Sequence, residues 1–160
     1  MKKVLKYPLL ISFIVALDQY TKWIVESEVA PWDWIKVTDF LNIVNLHNRG
    51  MVFGYFSNIS DPRIYWLITS FSLAAAVFVV YLFFKDQNPF ARFCLSLIIA
   101  GAAGNLIDRI FKGYVVDFID FHIKDRHWPA FNLADAVITV GSLLLVFYLL
   151  RGEKNVSDTP

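Results

Sequence analysis

Long apolar runs alternate with polar breaks along this chain, and four of the runs are long enough to cross a bilayer as helices of about 20 residues. They cover residues 4–24, 64–84, 90–110 and 132–150, the last reaching an adequate length only when it is carried back through Phe131 to Ala134. Two longer polar segments, 25–63 and 111–131, separate the first pair and the last pair of runs, and a short link around Lys85 joins the middle two. Residues 152–160 are polar, lack apolar periodicity and are expected to form a disordered tail.

Composition agrees with the pattern. Of the 160 residues, 57% are hydrophobic and the mean hydropathy is strongly positive, so the expected class is an α-helical integral membrane protein with four transmembrane helices in one domain over 1–160. The formal net charge of +1 and the absence of a basic stripe give no reason to expect a nucleic-acid partner. Cys94 is the single cysteine and cannot form an intrachain disulfide. Lys2, Lys3 and Lys6 precede the first apolar run as they would in a cleavable signal peptide. That run is long for a signal sequence, however, and ends in Asp18 and Lys22 without a small-x-small cleavage site, so an uncleaved span is expected.

Basic residues are denser in the chain ends and the Lys85 link than in the two longer segments, which places both termini in the cytoplasm and the longer segments outside. Residues 35–56 of the first outer loop are rich in β-branched and aromatic residues, with Asn48-Arg49-Gly50 as a turn signal, and predict a small extramembrane β-sheet at the membrane surface. Tyr114 to His122 in the second outer loop alternates only in part and reads as either a short strand or an extended connector. Trp23, Trp32, Trp34 and Trp128 fall near the outer boundary, as in an aromatic belt.

Against this frame the polar residues near the span ends stand out. Asp18, Gln19 and Lys22 close the first span, Asn105, Asp108 and Arg109 close the third, and Asn132 and Asp135 open the fourth, so all three groups come to the outer face. Charge at membrane depth costs ~2.5–3.5 kcal/mol per residue at a helix centre, and a cluster of it marks a functional site by default. Asp18 and Lys22, four apart, share a helix face and suit either a structural ion pair or a direct role. Asn105, Asp108 and Arg109 likewise share a face, where an Arg–Asp pair could close the helix or the donors could meet a substrate backbone. Asn132 and Asp135 have the spacing of a helix cap with an acidic first turn.

Asp135 gains a second reading from Asp117, which lies beyond the outer end of the third span and could return to the same place. Two carboxylates sharing a site do not both ionise easily, so one keeps a proton while the other acts as a base toward water. On this argument Asp120 and Asp125 are equally eligible partners. There is no HExxH, GxSxG, Cys–His metal spacing or phosphate-cradling glycine loop, and no metal or cofactor is expected. His47, His122 and His127 read as solvated or hydrogen-bonded side chains, and the serine nearest Lys22, Ser27, falls in the loop.

Taken in order, Asp18-Gln19-Tyr20-Thr21-Lys22, Asn48-Arg49-Gly50-Met51-Val52-Phe53, Gly104-Asn105-Leu106-Ile107-Asp108-Arg109, Val115-Val116-Asp117-Phe118 and Phe131-Asn132-Leu133-Ala134-Asp135 resemble the motif series of the bacterial lipoprotein signal peptidases, or signal peptidase II. The resemblance covers Asp18 to Asp135. It implies an aspartic endopeptidase of the bacterial inner membrane that cuts prolipoproteins just before a cysteine carrying a diacylglyceryl thioether. It implies Asp117 and Asp135 as the catalytic dyad. Asp18, Lys22, Asn48, Gly104, Asn105, Asp108, Arg109, Val115 and Asn132 would be its substrate-binding or site-shaping residues. The first outer loop would be the family's β-cradle, and globomycin-type inhibitors would occupy the dyad.

A lipid-anchored cysteine holds the scissile bond at headgroup depth, where the spans place these carboxylates. Arg109 and Asn48 are donors suited to substrate carbonyls. A small transport or assembly protein is the alternative, but a transport path calls for polar groups near the midplane and often an internal repeat, and neither is present. An intramembrane protease that cuts transmembrane helices would carry its aspartates deeper in the spans.

Overall fold

The structure, a computed structural model, describes residues 2–50 and 61–157. Four helices, α1 (Lys2–Glu28), α2 (Pro62–Lys85), α3 (Pro89–Phe111) and α4 (Leu133–Ser157), are each long and apolar enough to cross a membrane. Met51, Val52 and Phe53 of the second motif, and the end of the tail at 158–160, lie outside the described residues.

Local chemistry sets the helix ends. Asp61 caps α2 by accepting from Arg63 N (2.9 Å), and Asn88 caps α3 by accepting from Phe90 N and Ala91 N (2.8 and 3.2 Å); each is followed by a proline in the first turn. The first helix runs one turn beyond the expected end, through Ser27 to Glu28, because nothing disfavours the helix until Ala30 meets Pro31. The fourth helix likewise continues through Arg151 to Ser157, so most of the expected tail is helical. Glu153 and Lys154 are good helix formers and no proline interrupts the run.

The third helix sits at the centre, packed against the other three. Its buried positions Ala91, Cys94, Leu97, Gly101, Gly104 and Asp108 recur every three or four residues and are mostly small, which lets neighbouring backbones approach closely. Ile14, Leu97 and Ala100 form one cluster of the helical core, and Tyr7, Phe83 and Leu95 another nearer the start of α1. Large apolar side chains such as Phe13, Phe71, Phe84 and Leu143 point outward, the reverse of a water-soluble bundle, as a lipid solvent requires.

Four antiparallel strands form one sheet in the order β1 (Trp34–Lys36), β2 (Leu41–Asn48), β3 (Val115–Ile123) and β4 (Arg126–His127). The sheet is therefore not confined to the segment between α1 and α2. The Tyr114 to His122 segment, ambiguous in sequence, is a strand from Val115 onward because β2 supplies its hydrogen-bonding partners. Val25 and Val29 from the end of α1 pack on Val116 and Phe118, seating the sheet on the helix ends. Gly113, with φ of +80°, makes the turn from α3 into β3 that a side chain would strain. Trp23, Trp32, Trp34 and Trp128 are all exposed.

Candidate active site

Asp18, Lys22 and Asp108 meet at the C-terminal halves of α1 and α3. Lys22 Nζ lies 2.8 Å from Asp18 Oδ2 and 2.8 Å from Asp108 Oδ2, and all three side chains are shut off from solvent. Three charges at this depth survive because every one is paired. Asp18 also anchors α4, since its Oδ1 accepts from Ala134 N (2.9 Å) in the first turn of that helix, where a carboxylate satisfies an orphan backbone donor. Gly104 makes room for this contact, because a Cβ there would stand 2.5 Å from Asp18 Oδ2. Gln19 reinforces the junction by donating to Gly104 O (3.1 Å).

From this charged base a set of amides reaches two further carboxylates. Lys22 Nζ donates to Asn105 Oδ1 (3.1 Å), which turns the Asn105 amino group toward Asp135 Oδ1 at 2.8 Å. Asn132 and Asp135 cap one another across the start of α4: Asp135 N donates to Asn132 Oδ1 (2.9 Å) and Asn132 N to Asp135 Oδ2 (3.3 Å). The expected cap is thus present. The same Asn132 also donates its amino group to Asp117 Oδ1 at 2.8 Å, and Asn48 donates to Asp117 Oδ2 at 2.8 Å. Backbone pairing of Phe131 with Ile119 holds the chain entering α4 against β3 and so brings Asn132 beside Asp117.

A bulge in β2 decides which aspartate faces this cluster. Asn42 pairs with Asp120 and Ile43 with Ile119, but Leu46 pairs with Asp117, so three steps along β2 match two along β3. The extra residue inverts the alternation of β2. Asn42 and Asn48 would otherwise share a face; instead Asn42 meets Asp120 (2.9 Å) and Asn48 meets Asp117. Asp120 is further engaged by His127 Nδ1 at 2.9 Å, and Asp125 lies exposed in the β3–β4 turn. Of the three eligible aspartates, only Asp117 shares a partner with Asp135 among the described residues.

Burial first, and then the charge of Asp135, push the Asp117 carboxyl up to about 7, although Asn48 and Asn132 both stabilise its ionised form. A carboxyl in that range can hold or release a proton near neutral pH. A cavity of about 400 Å³, walled in part by Trp32, Leu46, Asn48 and Trp128, reaches Asp117.

Arg109 takes a different course from its neighbour Asp108. Successive residues on a helix point about 100° apart, and no Asp108–Arg109 ion pair forms among the described residues. Arg109 donates instead to Ser72 Oγ on α2 (2.6 Å) and to Gly50 O (3.2 Å), while its charge acts on both Asp117 and Asp135. Its Nε is buried and has no partner among the described residues. The Arg109 carbonyl accepts from Tyr65, a second tie to α2. Val115 is buried in register with Asn48 and contributes a strand position.

His127 bonds to Asp120 and His122 stacks on His127, whereas His47, read as solvated or hydrogen-bonded, instead stacks on Tyr114 at 3.9 Å with its Nε2 buried. Ser72 and Asn42 join the network without any local signal in the sequence that marks them. Gln19 gains its part through its adjacency to Asp18, which the sequence does show.

Comparison with known proteins accords with this geometry. The family model for signal peptidase (SPase) II matches residues 10–151. A lipoprotein signal peptidase of Serratia marcescens is 41% identical over 155 residues, covering 96% of this chain and 91% of its own. One from Thermodesulfovibrio yellowstonii is 42% identical over 149 residues, covering 93% and 97%. Two solved bacterial membrane enzymes superpose with TM-scores of 0.80 and 0.76 at 33% and 36% identity; the first covers 97% of this chain and 93% of its own, the second 91% and 92%. With the family model spanning nearly all of the four helices and the sheet, and relatives about two fifths identical almost end to end, this multi-pass membrane protein belongs to the signal peptidase II family.

Proposed function

We propose that this protein is an aspartic endopeptidase that removes the signal peptide from diacylglyceryl-modified prolipoproteins, cutting immediately before the lipidated cysteine. The observation that carries the reading is that Asp117 and Asp135, from a strand and a helix, share the side chain of Asn132. The density of basic residues in the chain ends supports cytoplasmic termini and a site at the outer face of the inner membrane. At that depth the acyl chains of the substrate anchor its cysteine, while the signal peptide stays among the spans.

In this reading Asp117, with its carboxyl raised to about 7 by burial and by the charge of Asp135, holds the shared proton at neutral pH. Asp135 sits in the first turn of α4 with a backbone donor on one oxygen and the Asn105 amide on the other, which orients the carboxylate as the base of the pair. It takes a proton from water as the oxygen attacks the scissile carbonyl. Asp117 donates a hydrogen bond to the developing oxyanion, and the proton gained by Asp135 passes to the leaving amine as the C–N bond breaks. Arg109 Nε and the Asn48 amide are the donors available to hold substrate carbonyls. Globomycin-type inhibitors are expected to bind between the two aspartates.

The test is cleavage of a diacylglyceryl-modified prolipoprotein in detergent by the wild type and by folded Asp117→Asn, Asp135→Asn and Asp120→Asn variants. Loss of cleavage in the first two, with the third active, is expected. An uncut lipidated substrate with the wild type, or near-normal rates in both dyad variants, would sink the assignment and favour a structural or transport role.

A further inference from the structure

The buried charges beneath the aspartate pair do not balance by themselves. Asp18 and Asp108 are two carboxylates, and Lys22 is one ammonium between them. The surplus negative charge lies close to Asp117, because Asp108 Oδ2 is 3.5 Å from the backbone N of Val116, one residue before it. A second cation approaches from the rim. Lys112, at the C-terminal cap of α3, places Nζ 3.3 Å from Asp108 Oδ1, the oxygen that Lys22 leaves free.

Lys112 is held in that position by Glu26, which is itself fixed by its neighbours. Glu26 on α1 takes it at 2.6 Å, Tyr114 donates to the other Glu26 oxygen at 3.1 Å, and His47 of β2 stacks on the Tyr114 ring. Both members of the Lys112–Glu26 pair are about a quarter exposed, so the pair lies between bulk solvent and the closed cluster. Burial works against the Lys112 charge, but the bond to Glu26 and the field of Asp108 outweigh it and keep its pKa above the ordinary value.

We propose that Lys112, steered by Glu26, is a positioning residue that gives Asp108 a second cation and thereby tunes the protonation of Asp117 and Asp135. The inference rests on the reading of that pair as the catalytic dyad. The other charges acting on Asp117 are Asp135 on α4, Lys22 on α1 and Arg109 on α3; those acting around Lys112 are Glu26 and Asp108, with His47 and Arg49 nearby on the first outer loop. Removing Lys112 leaves Asp108 unbalanced and makes ionisation of Asp117 harder. Removing the Glu26 charge leaves Asp18 and Asp108 matched by Lys22 and Lys112, one negative charge fewer than in the wild type, and makes it easier. The two substitutions therefore act in opposite directions, which loss of a purely structural contact would not do.

The experiment follows the Asp117 carboxyl directly by infrared spectroscopy of the detergent-solubilised full chain against pH. The band is identified by its loss in Asp117→Asn, so the readout needs no substrate. In Lys112→Gln the titration midpoint should rise by roughly one pH unit, as one unbalanced charge produces across roughly 10 Å at an effective dielectric of about 20. In Glu26→Gln it should fall, and in Lys112→Arg it should stay near wild type. The pH–rate profile of cleavage should move with the midpoint. Unchanged midpoints, or shifts of one sign in both charge-removing variants, overturn the proposal. Opposite midpoint shifts in a protein that leaves lipidated substrate uncut would instead keep the electrostatic coupling and discard the peptidase reading. Should Lys112→Gln not fold, Glu26→Gln and Lys112→Arg decide the question by the same criterion.

Discussion

Asn132 donates its side-chain amide to Asp117 Oδ1 at 2.8 Å while its own side-chain oxygen caps the backbone of Asp135, three residues on. One side chain thus fixes a strand aspartate relative to a helix aspartate. The proposed chemistry depends on that relationship, and the residues that hold it in place can be tested one at a time.

The first prediction concerns pH and stability. The Asp117 carboxyl lies at about 7 in the fold against an ordinary 3.8, so the folded state binds this proton more tightly than the unfolded chain. Its contribution is fully present below about pH 4 and is lost as pH rises through about 7, a change on the order of 4 kcal/mol. Thermal unfolding in detergent should show wild-type stability falling across that window and a visibly flatter pH dependence in Asp117→Asn. Equal slopes in the two proteins would contradict the placement of this carboxyl.

Asn48→Ala removes a donor that favours the ionised form of Asp117. The Asp117 midpoint should rise further, by about one unit, and the alkaline limb of the cleavage profile, where Asp117 loses its proton, should shift to higher pH with it. A profile that only loses height, with no displacement, would mean that the amide does not act on this proton.

Lys22 pairs with two buried carboxylates, Asp18 and Asp108, at 2.8 Å each. Lys22→Met leaves Asp18 with no cation among the described residues and Asp108 with Lys112 alone, and should cost about 3–5 kcal/mol of stability, read as a large drop in the unfolding midpoint and loss of activity. A variant as stable as the wild type would show that water reaches this cluster or that Lys112 suffices to hold it.

Gly104→Ala puts a methyl group 2.5 Å from Asp18 Oδ2 and 3.3 Å from Ala134 Cβ, against a carboxylate already tied to Lys22 and to the first turn of α4. Overpacking of this kind costs about 1–3 kcal/mol. Because the strain falls on the contact that seats α4, cleavage should drop as well as stability. Unaltered activity would show that α1 and α4 separate without disturbing Asp135.

The four spans, their approximate bounds and the gathering of polar residues at one end are legible in the amino-acid sequence, since helix length and hydrophobicity are local properties that the bilayer imposes. The Asn132–Asp135 cap and the Asp18–Lys22 pair follow from spacing alone, because i+3 and i+4 neighbours meet on any helix. Periodicity could not say that Tyr114 to His122 contains a strand, because its pairing partner lies about seventy residues earlier in β2. It could not choose among Asp117, Asp120 and Asp125 either. A bulge between Ile43 and Leu46 makes that choice by turning Asn48 to Asp117 and leaving Asn42 with Asp120.

Nor could spacing separate Asp108 from Arg109, which diverge to Lys22 and to Ser72, or reveal that Lys112 joins the buried charges. Residue type and spacing by themselves determine that this is a four-span membrane protein with carboxylates gathered at one face. Which carboxylates meet, and which cations balance them, is settled only when strands and helices distant in sequence pack together, because electrostatic and hydrogen-bonding partners are selected by distance in space.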